Sequence, residues 1–61
     1  MERGILAEDF LRDRAVKIIT KEGEMFTGIV KFHGREEIVV NINDEDVVFF
    51  KSGIRRIIIL G

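Results

Sequence analysis

Few side chains in this sequence could act on a ligand. There is one histidine, His33, and the only hydroxyls are those of Thr20, Thr27 and Ser52. A hydroxyl nucleophile needs a base beside it, and the base needs an orienting acid. His33 is the single candidate base, and the acids near it, Glu36 and Glu37, fall at a turn. No hydrolytic set is expected, and the chain reads as a binding protein rather than an enzyme. Cysteine is absent, and one histidine cannot build a metal site, so no disulfide, metal or other cofactor is expected. Gly34-Arg35-Glu36 reads as a hairpin turn, not a phosphate-binding loop. What remains is polar recognition by the ten lysines and arginines and the few hydroxyls, with His33 as the one polar ring. Lysine and arginine take phosphate, the guanidinium plane can stack on a base, and a serine hydroxyl donates or accepts.

These side chains need a scaffold, and the chain is short. At 61 residues it is one domain, spanning residues 1–61. A domain of this size hides only about 60% of its unfolded surface and commonly needs a staple or a partner. With no disulfide or metal to serve, oligomerisation is the expected source of extra stability. A hydrophobic content of 46% fits that expectation, because one small core cannot absorb it all. The net charge of −1 counts against nucleic acid as a partner unless the charges segregate. Acids gather at Glu36-Glu37 and Asp44-Glu45-Asp46, and bases at Arg12, Arg14, Lys51 and Arg55-Arg56. Apolar runs such as 57–60 are too short to span a bilayer. The opening residues lack a basic stretch followed by an apolar one, so neither a secretory signal nor a membrane partner is expected, and the location is read as cytoplasmic.

The pattern along the chain is a short helix followed by strands. Residues 5–13 are expected to be helical, with Leu6 and Phe10 sharing a face. Strands are expected over 15–21, 24–33, 37–42, 46–51 and 55–60. Val16, Ile18 and Thr20 alternate in the first. In the second, Phe26, Gly28, Val30 and Phe32 share one face, and a glycine in mid-strand signals a bend or a close backbone approach. Phe49 and Phe50 must face opposite ways, the outward one toward another subunit. Turns fall at Glu22-Gly23, Gly34-Arg35-Glu36 and Asn43-Asp44-Glu45. The fold class is mainly β: a short α-helix and a five-stranded, strongly bent antiparallel sheet or barrel.

Phe10-Leu11-Arg12-Asp13-Arg14 at the helix end, Ala15-Val16-Lys17-Ile18, Gly23 with Gly28, and Phe50-Lys51-Ser52 with Ile54 occur in an order that resembles the Hfq family of RNA chaperones, within the Sm-like superfamily. The resemblance covers nearly the whole chain. It implies an Sm-like (SH3-like) barrel and a hexameric ring, in which the strand at 46–51 pairs with the strand at 55–60 of the next subunit. It further implies binding of single-stranded uridine-rich RNA near the pore and a part in RNA–RNA pairing and post-transcriptional regulation. On this resemblance Lys51 matches the lysine that reaches the uridine site, and Ser52 stands where the family has histidine. Arg35 lies where the family has a stacking aromatic, and His33 supplies a ring if the loop register shifts. Arg12 and Arg14 keep part of the family's arginine rim. On the opposite, adenine-binding face, Ile19, Glu24 and Thr27 replace a tyrosine, an apolar and a polar residue, which implies weak or absent adenine binding. Two other readings remain open: a heptameric Sm-type RNA-binding subunit, and a small-barrel protein-interaction module without RNA affinity.

Overall fold

The structure is a computed structural model and describes residues 10–61. The expected helix over 5–13 lies largely outside the described residues. Its last part, 10–13, is a turn, in which the Arg14 N–H donates to the Leu11 carbonyl at 3.0 Å. Five strands follow: β1 Ala15–Thr20, β2 Met25–His33, β3 Glu37–Ile42, β4 Glu45–Phe50 and β5 Ile54–Ile59, with a single 3-10 turn, Lys51–Gly53, between the last two. All pairings are antiparallel and form one sheet in the order β4-β3-β2-β1-β5. No ladder joins β4 to β5, so the sheet is open and has two free edges.

The strands form where β-branched residues alternate with polar ones, the pattern that suits a pleated surface with one buried side. Val16 and Ile18 of β1, Val30 of β2, and Ile38 and Val40 of β3 are almost wholly buried, with Leu11 beside them. Ile42, Phe49, Ile54 and Ile57 pack against this cluster. Phe26 of β2 and Phe49 of β4 meet with ring centroids 5.3 Å apart, tilted by 51°. These strands are separated by β3, and flat neighbours-but-one lie about 9–10 Å apart. The sheet therefore curls around its core. Gly28 permits that curl: a Cβ there would collide with the Asn41 carbonyl oxygen and stand 2.7 Å from Val40 Cγ1.

The turns follow from residue type. Gly23 has φ 92°, which only glycine adopts freely, and its N–H closes on the Thr20 carbonyl at 3.0 Å. The β3–β4 turn is shorter than expected. Asn43 and Asp44 form it alone, with φ of 52° and 69°, and Glu45 already pairs with Ile42. Two consecutive left-handed residues match the twist of a tight hairpin, and asparagine and aspartate tolerate that region best after glycine.

One sequence expectation fails inside β2. The register slips between Val30 and Phe32, so Lys31 is the extra residue of a bulge. Phe32 leaves the face of Phe26 and Val30 and is 48% exposed, while His33 takes the half-buried side opposite Ile38. A second slip, between Ile19 and Thr20, sets Thr20 opposite Ile54 and Ile19 opposite Arg56.

Candidate nucleic-acid interface

β4 ends at Phe50, and the chain enters the turn Lys51–Gly53 rather than extending the strand through Lys51 as the sequence suggested. The Lys51 N–H donates to the Glu36 carbonyl at 2.8 Å. That bond ties the end of β4 to the connection between β2 and β3, which brings Arg35 beside Lys51. A hollow forms there, lined by Arg35, Glu36, Phe50, Lys51 and Ser52. At its far side the Lys21 N–H donates to the Gly53 carbonyl at 2.9 Å and fixes the start of β5 against the end of β1.

A second hollow opens on the other side of Lys51, lined by Leu11, His33, Lys51, Ile54, Arg55, Arg56 and Ile57. Lys51 is thus common to both. Arg35 and Ser52 join it in the first, and His33 joins it in the second. His33, the last residue of β2, is half-buried and lines the second hollow, not the first. Leu11 draws the 10–13 turn up to the second hollow. Arg12 is exposed on that turn and Arg14 follows it, its guanidinium carbon 4.5 Å from the centre of the Phe10 ring. Neither arginine lines the two hollows.

Sequence reasoning assigned the outward member of the Phe49–Phe50 pair to a subunit contact. It is Phe50, 66% exposed, and it lines the first hollow with Arg35, Lys51 and Ser52. The alternation of the two rings told which way each could point, but the fold of the neighbouring turn decided what Phe50 meets. A half-buried ammonium, a guanidinium, a hydroxyl and an open aromatic ring are the groups that hold a phosphate and stack or hydrogen-bond a base. Glu36 is the opposing charge in the same hollow.

The charges separate only in part along the β3–β4 hairpin. Asp44, Glu45 and Asp46 sit at the turn end, where Asn41 Nδ2 donates to Asp46 Oδ1 at 2.7 Å, while Arg35 and Lys51 share the other end with Glu36 and Glu37. On the outer face of β1, Ile19 lies between Met25 and Arg56, and Thr27 opposes Lys17; no aromatic stands in those rows. Among the described residues there is no group of three His, Cys, Asp or Glu side chains able to hold a metal ion, and no helix long and apolar enough to cross a membrane. No protein-family model, curated protein or solved structure matches this chain.

Proposed function

We propose that the chain is an Hfq-like subunit of a homo-oligomeric ring that binds single-stranded, uridine-rich RNA and acts by binding, without catalysis, in the cytoplasm. The observation that carries this reading is the convergence of Arg35, Phe50, Lys51 and Ser52 on one hollow at the end of an edge strand. Lys51 meets phosphate, Phe50 offers a base its ring, and Ser52 and Arg35 supply donors to base edges or the backbone. Uracil presents two carbonyl acceptors to the donors of Arg35, Lys51 and Ser52, and one N–H donor to the Glu36 carboxylate.

The two free edges support assembly. An unpaired edge strand is a template for another chain. β4 exposes Val48 and Phe50, and the end of β5 exposes Ile59 with Leu60 just beyond. Pairing β4 of one copy with β5 of the next joins two different surfaces, so the contact repeats head to tail, and a rotation between subunits that closes makes a ring of it. An Sm-like barrel curled from this sheet, with β4 and β5 left to pair with neighbouring subunits, and an amino-terminal helix over 5–13, belong to the same proposal. A ring holding one such hollow per subunit binds a strand by avidity, and two RNAs held together pair faster. A hexamer is the favoured size, and a heptameric Sm-type ring uses the same edges.

A second reading, a protein-interaction module without RNA affinity, draws support from the apolar row Phe32, Val39 and Val48 across the outer face of β2, β3 and β4. The double variant Lys51→Ala, Ser52→Ala separates the two. Its mass by light scattering should equal that of the parent ring, and its affinity for oligouridine should fall by about 10- to 100-fold, the scale of losing charged hydrogen bonds. Unchanged affinity in an intact ring would remove the site assignment.

A further inference from the structure

We infer that Phe32 is a second base-stacking platform, outside the Lys51 hollow, which takes an unpaired nucleobase of the same single strand. The proposal rests on the RNA-binding reading of that hollow and extends the strand's path beyond it. Three features of the structure carry it.

The first is how the ring is aimed. Phe32 would continue the buried row of Phe26 and Val30 if β2 were regular. The bulge at Lys31 turns it out, leaving a large apolar ring 48% exposed. Bulges re-aim side chains at functional positions, and exposing phenylalanine has no benefit to the core.

The second is how the ring is held. Gly34, itself buried, lies beneath one edge of it: a Cβ on Gly34 would stand 2.7 Å from Cε2 and 3.1 Å from Cζ of Phe32. Glycine at this position makes room for the ring to lie against the backbone. An aromatic fixed on one edge and open elsewhere loses little freedom when a base stacks on it.

The third is the chemistry beside it. Lys31, the bulge residue, and Arg35, just past Gly34, are both exposed cations flanking the ring in the chain. Arg35 also lines the Lys51 hollow, so it links the two positions. Glu37 Oε2 stands 3.2 Å from the same Gly34 point. Its carboxylate accepts from the N–H donors of a base edge, which uracil N3–H and the amino groups of cytosine and adenine all provide. Phe32 and Phe50 lie two strands apart on the outer face, with Phe50 two residues along β4 from Val48, the residue in the row of Phe32. Aromatic rings interleaved with cations are the pattern that binds single strands with little sequence preference. The same row of Val39 and Val48 would suit a protein surface, but it lacks the flanking cations that Phe32 has.

The chain contains no tryptophan or tyrosine, so Phe32→Trp gives a single indole reporter at this point. Phe32→Trp keeps an aromatic face, and its emission should be quenched as oligouridine is added. Phe32→Leu, which keeps an apolar side chain without a π face, should bind about 5- to 100-fold more weakly, the range found for losing one stacked base. The ring mass should be the same for both. Parental affinity in Phe32→Leu, with unquenched emission in Phe32→Trp while anisotropy reports bound RNA, would overturn the inference and leave the Lys51 site standing. A change of ring mass in Phe32→Leu would make Phe32 a protein contact and overturn it as well. If the parent ring binds no RNA, both this platform and the Lys51 site fall.

Discussion

The β3–β4 hairpin has two unlike ends. At the turn, Asn43 and Asp44 adopt left-handed backbone, the connection is as short as a hairpin allows, and Asp44, Glu45 and Asp46 gather there. At the open end the strands run into Gly34-Arg35-Glu36 on one side and Lys51–Gly53 on the other, joined by the bond from Lys51 N–H to the Glu36 carbonyl. The first end is built for closure and carries acids. The second is built from two separate connections and carries Arg35, Lys51 and the exposed Phe50. The strands between them span about 20 Å at strand rise, roughly twice the Debye length at physiological salt. A net charge of −1 therefore says little about the field at either end. One rigid element thus holds the Asp44-Glu45-Asp46 cluster away from Arg35 and Lys51, and the acids that act on those two cations are their neighbours Glu36 and Glu37.

The most damaging test removes the seat of the hairpin altogether. Gly28→Ala places a methyl against the Asn41 carbonyl and the side chains of Val40 and Ile42. A destabilisation of about 1–3 kcal/mol or more is expected, as for other overpacked sites, and it is read by urea or thermal unfolding. In a chain this short that is a large share of the total stability. Both ends should lose order together.

A smaller effect isolates the turn end. Asn43→Ala forces a side chain with no local hydrogen-bonding alternative into φ 52°. It should cost about 1–2 kcal/mol in the same unfolding assay, on the scale of placing an ordinary residue in left-handed backbone. Affinity for oligouridine should be unchanged. Weakened RNA binding in a folded Asn43→Ala ring would mean the two ends are coupled.

The smallest effect compares charge for charge. Glu36→Gln removes the carboxylate from the Lys51 hollow and should tighten oligouridine binding by about two- to five-fold at low salt, less at high salt. Glu45→Gln removes an equal charge at the turn end and should leave affinity within about two-fold. Equal gains from both, by anisotropy, would show that only net charge matters and that no local site exists.

The sequence carried most of the strand pattern and little of the site's shape. β3 falls where the alternation of Ile38 and Val40 put it, β1 and β2 differ from expectation by a residue at one end, and β4 and β5 are shifted by one residue at both ends. Alternation is written in the side chains themselves, so it survives without any knowledge of the fold. A bulge is not. Val30-Lys31-Phe32 reads as perfect alternation, and only the pairing of His33 with Ile38 and Phe32 with Val39 reveals the extra residue. The same limit hid the surroundings of Phe50 and the side of the sheet that His33 takes. Lys51 with Ser52 was legible because the two are adjacent in the chain. The meeting of Arg35 with Lys51 depends on a backbone hydrogen bond across 15 residues of sequence, from Lys51 to Glu36, which no local pattern encodes.

The most direct measurement is a fluorescence-anisotropy titration of short oligouridine and oligoadenine at two salt concentrations, on protein whose mass is fixed by light scattering. The account predicts a ring that binds oligouridine more tightly than oligoadenine, with log affinity falling against log salt by about 0.7 for each phosphate engaged. An intact ring that binds neither RNA, or binds both equally with no dependence on salt, would contradict it.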